Sequence, residues 1–285
     1  MNKKILKEMF HCSKWPSIDF GLADVPQQAQ KLAGKFSISG VQPKLSVKLD
    51  KKQNMLIVVD AGGEYILKPQ QTFLRIPENE QCCMDIAQEL GIEVPPHCLL
   101  SLKDKSLAYV IKRFDRDKRV KIQQEDFVQI IGVNDKYKGS VEQIGRKLKE
   151  ISSAPGYDVQ LFFDRVVLNF IVGNGDAHLK NYAILHKEGG IRLAPAYDIV
   201  CSKLVILNED ESAININGKK NHLLRKDFDC LAEYFNVPIK VRYERFEKKF
   251  NLMREIVLTS QMNDADQARF LDIIKERLDR LKIVQ

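Results

Sequence analysis

The sequence predicts an α+β chain, with a β-rich first part and a mostly helical second part. Three observations carry this. Runs between residues 45 and 113 alternate or favour β structure around a single helix. After Phe114, apolar residues recur at helical spacing to the end of the chain. A polar octet, Asn174-Gly175-Asp176-Ala177-His178-Leu179-Lys180-Asn181, interrupts the helical part between apolar stretches at 166–172 and 182–185.

In order, residues 1–30 hold the breakers Trp15-Pro16 and Pro26 and are read as an N-terminal appendage. Leu45, Val47 and Leu49 alternate with Ser46 and Lys48, and Met55 to Val59 is a continuous β-favouring run. Asp60-Ala61-Gly62-Gly63 is a hairpin turn signal, with Tyr65-Ile66-Leu67-Lys68 as the return strand, stopped by Pro69. Cys83, Ile86, Ala87 and Leu90 mark a helix over 78–90, with Gly91 as its stop. Val94-Pro95-Pro96 precede strands over 98–102 and 107–114. Helices are then expected over 125–131, over 141–152 and, capped by Asp158, on through Val172, with Asn134 to Ser140 a polar, mobile loop. A hairpin over 182–185 and 191–193 turns at Gly189-Gly190, and the tail reads as helices over 227–235, 238–259 and 264–281. The expected domains are the appendage (1–30), a β-rich N-lobe (31–113) and a helical C-lobe (114–285), which is the outline of a two-lobed, protein-kinase-like fold.

The 285 residues can bury a sizeable core, and 44% hydrophobic with 29% charged residues is ordinary for a soluble protein. The net charge of +7 is spread over 45 basic and 38 acidic residues, so it marks no clustered nucleic-acid surface. Six cysteines form no C-x-x-C pair, and the five histidines complete no zinc pattern. No run approaches the ~18 apolar residues of a membrane span. A cytoplasmic protein with no membrane partner is expected.

The octet joins a carboxylate, an imidazole, an ammonium and carboxamides. Asp176 and Asn181 stand five apart, the spacing of Asp and Asn in H-R-D-x-x-x-x-N, where the Asp takes the acceptor's proton and the Asn binds magnesium. Asn-Gly-Asp is equally good turn chemistry, and eight residues alone do not decide. Phosphoryl transfer also needs a strand lysine, metal-facing oxygens and a cradle for phosphates. Lys68 ends a strand; Glu80, Glu78 or Glu89 could be its ion-pair partner. Asp198, in Ala194-Pro195-Ala196-Tyr197-Asp198-Ile199, falls where a metal-binding Asp belongs. No Walker or Rossmann glycine motif occurs; Phe36-Ser37-Ile38-Ser39-Gly40-Val41-Gln42-Pro43-Lys44 stands before the first strand instead.

Together, Ser37 to Lys44, Asn174 to Asn181 and Ala194 to Asp198 resemble HipA-family serine/threonine kinases, the toxins of bacterial toxin–antitoxin systems. Ile66-Leu67-Lys68-Pro69, Glu78-Asn79-Glu80, Val110 to Asp115 and Gln123 to Phe127 extend the match, which runs from about residue 36 to 200. The resemblance implies ATP and Mg²⁺ as cofactors. It makes Asp176 the base and Asn181 and Asp198 the metal ligands. It puts Lys68, His178 and Lys180 on phosphates, with Ser39, Gly40, Val41, Gln42 and Lys44 covering the nucleotide. Lys112, Arg113 and Phe114 match the adenine hinge, with Asp115 near the ribose and Tyr197 beside the base. Ser37 aligns with the serine that such kinases autophosphorylate, and Ser39 is a second candidate.

Only 36 residues precede Ser37, where longer HipA kinases carry a further subdomain. That shortness and the Ser-Ile-Ser motif resemble HipT, the compact kinase of three-gene systems. The implied partners are a small antitoxin resembling the missing subdomain, a HipB-like DNA-binding antitoxin through which DNA contact would be indirect, and a protein substrate. The implied substrate is an aminoacyl-tRNA synthetase, the tryptophanyl enzyme foremost. The alternatives are a catalytically silenced nucleotide-binding scaffold and a small-molecule kinase.

Overall fold

A computed structural model describes residues 3–30, 44–70, 75–117 and 120–283. Its internal contacts divide the chain into two units: Met1–Gln81 with Pro95–Lys121, and Cys82–Val94 with Ile122–Gln285.

In the first unit, helices α1 (Lys3–Phe10) and α2 (Val25–Gln30) precede strands β1 (Leu45–Asp50), β2 (Met55–Val58) and β3 (Tyr65–Pro69). The division falls inside α3 (Ile76–Glu89); β4 (His97–Ser101), β5 (Leu107–Lys112) and a short ribbon, β6 (Arg116–Asp117) with β7 (Val120–Lys121), complete the unit. The five-stranded antiparallel sheet has the order β2-β1-β3-β5-β4. The turn at 60–63 therefore does not close a β2–β3 hairpin. Val47 of β1 pairs with Val58 on one side and Tyr65 on the other, so the turn carries the chain across β1.

Alternation along β1 buries Leu45 and Val47, and these pack with Leu56, Leu67, Val110 and Cys98. Leu6, Met9 and Phe10, at helical spacing on α1, join the same core. Side chains of the opening segment thus pack into the sheet's core, and each contributes roughly 1.5–3 kcal/mol by leaving water. The buried Tyr65 hydroxyl donates to the Met9 carbonyl at 2.7 Å, so even its polar tip is satisfied.

In the second unit, β8 (Gln123–Asp126) leads into α4 (Phe127–Ile131). A helix is expected from Glu125, but Gln124 and Glu125 pair with Leu185 and Ile184, and Asp126 instead caps α4 by accepting from the Gln129 amide. Helix α5 (Val141–Ile151) is capped by Ser140 and buries Val141, Ile144 and Leu148 on one face. Helix α6 (Pro155–Ile171) starts with a proline in its first turn, before Asp158 rather than at it. Asp158 is buried and binds the Ser152 hydroxyl, the Leu193 amide and the Arg192 guanidinium. Strands β9 (Ala183–Lys187) and β10 (Gly190–Leu193) complete a three-stranded sheet, β10-β9-β8.

The tail forms α7 (Arg225–Phe235), α8 (Phe250–Thr259) and α9 (Asp264–Arg280). The helix expected over 238–259 is split, because Lys248 has φ 59, a left-handed value no helix interior accommodates. Arg245, in the intervening turns, donates to Asp164 of α6 and to the carbonyls of Leu90 and Gly91 at the end of α3. Burial pushes the Asp164 carboxyl up to about 6, against the pull of Arg245. Among the described residues, no helix is long and apolar enough to cross a membrane.

Candidate active site

The octet begins where α6 stops. Gly173, at φ 69, donates to the Phe170 carbonyl while Asn174 donates to that of Asn169, a paired closure that needs a left-handed residue between. The Ser202 hydroxyl bridges the Gly173 carbonyl and the Gly175 amide. A Cβ on Gly175 would collide with the Asp210 carbonyl and the Glu209 carboxylate, so only glycine fits there. Among the described residues, then, the octet is a fixed loop that presents Asp176.

Asn181 fastens the other end of the loop. Its Oδ1 accepts from the His178 amide at 2.9 Å, and its Nδ2 donates to Asp198 Oδ2 at 3.1 Å. The Tyr197 hydroxyl donates to the Lys180 carbonyl at 2.9 Å, tying the same two segments a second time. Asp198 has φ 60, a value that an aspartate tolerates better than most residues and that recurs at functional sites. The Lys180 side chain is exposed. Beneath the Asn181–Asp198 pair lies a small cavity, into which the buried Arg165 and Asn174 also face. Arg165 Nε and Asn174 Oδ1 have no hydrogen-bond partner there. Burial lowers the Arg165 guanidinium to about 10.

The Asp198 carboxylate is a hard oxygen donor. Among the described residues, no group of three His, Cys, Asp or Glu side chains is placed to hold a metal. Asp198 offers a carboxylate oxygen of the kind Mg²⁺ takes, with water or phosphate completing the shell. Asn181 turns its Nδ2 to Asp198 and its Oδ1 to the His178 amide, so an ion between them would take the Asn181 oxygen only after that amide turned over.

The sequence gives no signal for three further neighbours. The Lys136 ammonium donates to His178 Nε2 at 2.7 Å, and the Tyr137 hydroxyl donates to Asp176 Oδ1 at 2.9 Å. The 134–140 stretch, expected as a mobile loop, is therefore tied to the octet. His178 is 7% exposed, and burial, with Lys136 adding to it, lowers its pKa. Since Nε2 accepts from Lys136, the ring proton of the neutral imidazole belongs on Nδ1, a buried atom with no partner. Glu209, the third neighbour, is pushed up to about 7, first by burial and then by the Asp176 charge.

The first unit holds the remaining candidates. Lys68, 4% exposed at the end of β3, forms an ion pair with Glu80 of α3, which separates Glu80 from Glu78 and Glu89. The Lys112 ammonium donates to the Glu8 carbonyl on α1 at 3.1 Å. Asp115 is held by Arg113 at 2.9 and 2.7 Å and by Arg116 at 2.6 Å. Burial would raise its carboxyl, but the two guanidinium groups keep it below the ordinary range. Phe114 follows β5, and Lys44 stands exposed before β1. Ser37, Ser39, Gly40, Val41 and Gln42 lie outside the described residues.

The HipA-like C-terminal domain family matches residues 36–274. A candidate kinase of Sinorhizobium fredii is 38% identical over 221 residues, 70% of this chain and 53% of that protein. The serine/threonine-protein kinase toxin HipA of Shewanella oneidensis is 23% identical over 273 residues, 86% of this chain and 62% of that protein. The first three curated relatives are covered over 53%, 58% and 49% of their own length, so the chain spans about half of each. A solved structure of Shewanella oneidensis HipA with HipB and operator DNA matches with a TM-score of 0.74 at 18% identity, covering 93% of this chain and 72% of that one. The Helicobacter pylori proinflammatory kinase CtkA matches with a TM-score of 0.58 at 18% identity, covering 80% and 91%. The fold is accordingly α+β and protein-kinase-like, and the chain belongs to the HipA-like C-terminal domain family.

Proposed function

We propose that the chain is an ATP- and Mg²⁺-dependent serine/threonine protein kinase and the toxin of a toxin–antitoxin system. The observation that supports this most is the bonding of Asp176, His178, Asn181 and Asp198 into one fixed cluster within a single unit. Mg²⁺, when bound, would neutralise charge on the transferring phosphate. Asp176 takes the acceptor hydroxyl's proton, a role that contributes about 10²–10⁴-fold in rate. Lys180 offers positive charge beside it, His178 stands by the phosphates, and Asn181 and Asp198 hold the metal. In the other unit Lys68, oriented by Glu80, serves the ATP phosphates. Ser39 to Lys44 cover the nucleotide, Lys112 to Phe114 meet adenine, Asp115 lies by the ribose and Tyr197 by the base. The two units play the parts of the nucleotide-binding and catalytic lobes that the sequence divides between residues 113 and 114.

Transfer of labelled γ-phosphate tests this: Asp176→Gln and Asp198→Asn should each lose activity, and retention in both would sink the assigned roles. The resemblance to HipT supports a cytoplasmic kinase regulated at its Ser-Ile-Ser loop and partnered by a small antitoxin and a HipB-like protein. It also supports an aminoacyl-tRNA synthetase as target, which mapping new phosphoserines in a treated lysate would check. A phosphate on Ser37 or Ser39 adds about −1.5 to −2 charge. Ser37→Asp with Ser39→Asp should therefore weaken ATP binding, measured by titration calorimetry.

A further inference from the structure

A kinase identifies its acceptor by geometry: the hydroxyl must lie within hydrogen-bond reach of the catalytic base. One hydroxyl of this chain already does. Tyr137 Oη donates to Asp176 Oδ1 at 2.9 Å, although 39 residues separate the two.

The approach is built rather than incidental. The backbone turns at Asp135, whose carboxylate accepts from the Tyr137 amide at 2.9 Å and whose carbonyl accepts from the Lys138 amide at 3.2 Å. The Leu179 amide, inside the octet, donates to the Lys136 carbonyl at 3.2 Å, and the Lys136 ammonium holds His178. The Tyr137 ring stands edge-on to the His178 ring at 5.4 Å, with the Lys136 ammonium 4.8 Å from its centroid. Tyr137 is 43% exposed as a residue, and its contact with Asp176 lies at the surface. All of these groups belong to one unit.

We propose that Tyr137 is a phosphoryl acceptor in cis, a tyrosine that the chain modifies on itself; this rests on the kinase reading above. In the step, the bond from the γ-phosphorus of ATP to the β,γ-bridging oxygen breaks and a bond from that phosphorus to Tyr137 Oη forms. The bridging oxygen leaves with its electron pair as ADP, and the hydroxyl proton passes to Asp176. Burial and the neighbouring Asp176 charge push the hydroxyl up to about 12, so it arrives protonated and needs that base. Tethering gives such a hydroxyl an effective concentration that a dilute external acceptor cannot match. The product carries about −1.5 to −2 charge beside Asp135, Asp176 and Glu209, and repulsion then drives the 134–140 stretch off the base.

The test is to incubate the full chain with γ-labelled ATP and Mg²⁺ at two concentrations about a hundred-fold apart, and to map the phosphate by mass spectrometry. A tagged Asp176→Asn chain is mixed into parallel samples. The expected result is phosphotyrosine at Tyr137 with the same first-order rate constant at both concentrations. That signal should be absent from Tyr137→Phe, and the tagged chain should stay unmodified at Tyr137. Phosphate on serines or on an added protein, with none on Tyr137, would overturn the proposal and leave the tyrosine only bracing the base. Phosphate on the tagged chain at the parental rate would overturn it as a reaction in cis. No phosphate on any residue or added protein would instead sink the kinase reading, and this proposal with it.

Discussion

The two units solve the placing of charged groups in opposite ways. In the first, Lys68 and Glu80 stand 12 residues apart on a strand and the helix that follows, and both are buried, at 4% and 0% exposed. In the second, Asp176 is reached by Tyr137 from 39 residues away and lies under the influence of Glu209, on loops at the surface. The first pair is closed: two charges taken out of water face each other inside the unit. The second cluster is open, with charge held in place by loop hydrogen bonds and still accessible. An ion pair of the first kind orients a lysine at high structural cost if broken. A cluster of the second kind can exchange partners without unfolding anything.

Breaking the closed pair should have the largest effect. Lys68→Met leaves a carboxylate buried, and should destabilise the protein by about 3–5 kcal/mol in urea unfolding. Adding Glu80→Leu should recover most of that loss; if it does not, the pair is not the source of the cost. Next comes the open cluster's scaffold. Gly175→Ala forces the 209–210 backbone to shift and should cost about 1–3 kcal/mol, with labelled transfer falling further than stability predicts. The smallest effect is in the pH dependence. Glu209 is raised from 4.5 to about 7 in the folded protein, so its contribution is fully present below about 4.5 and is lost as pH rises through about 7. Glu209→Gln should flatten that decline in thermal unfolding midpoints between those pH values. An unchanged slope would place the titration elsewhere.

How much of this was legible follows the same contrast. Leu45 and Val47 announce β1 because one sheet face is buried, and Lys68 stands out as a candidate because it lies at the end of a strand of that sheet. Asp176, Asn181 and Asp198 are proposed from order and spacing, and the bond from Asn181 to Asp198 follows from a loop and hairpin that are local. Glu80 could not be separated from Glu78 and Glu89, because that choice is a rotation about the axis of α3 that only packing decides. Lys136 and Tyr137 were invisible for a stronger reason: no periodicity encodes a contact across 42 or 39 residues. Glu125 and Asp126 read as the start of a helix because β8 draws its stability from backbone pairing with β9 and not from an apolar face whose alternation would mark a strand.

Arg245 has a consequence for how the chain is made. The carbonyls ending α3 at Leu90 and Gly91 accept from a guanidinium 155 and 154 residues further on. A ribosome adding about 5–20 residues per second leaves that helix end waiting roughly eight to thirty seconds for its partner. During synthesis the last turn of α3 must be finished by water, and the docking of α6 through Asp164 can be locked only after the chain has emerged past Arg245.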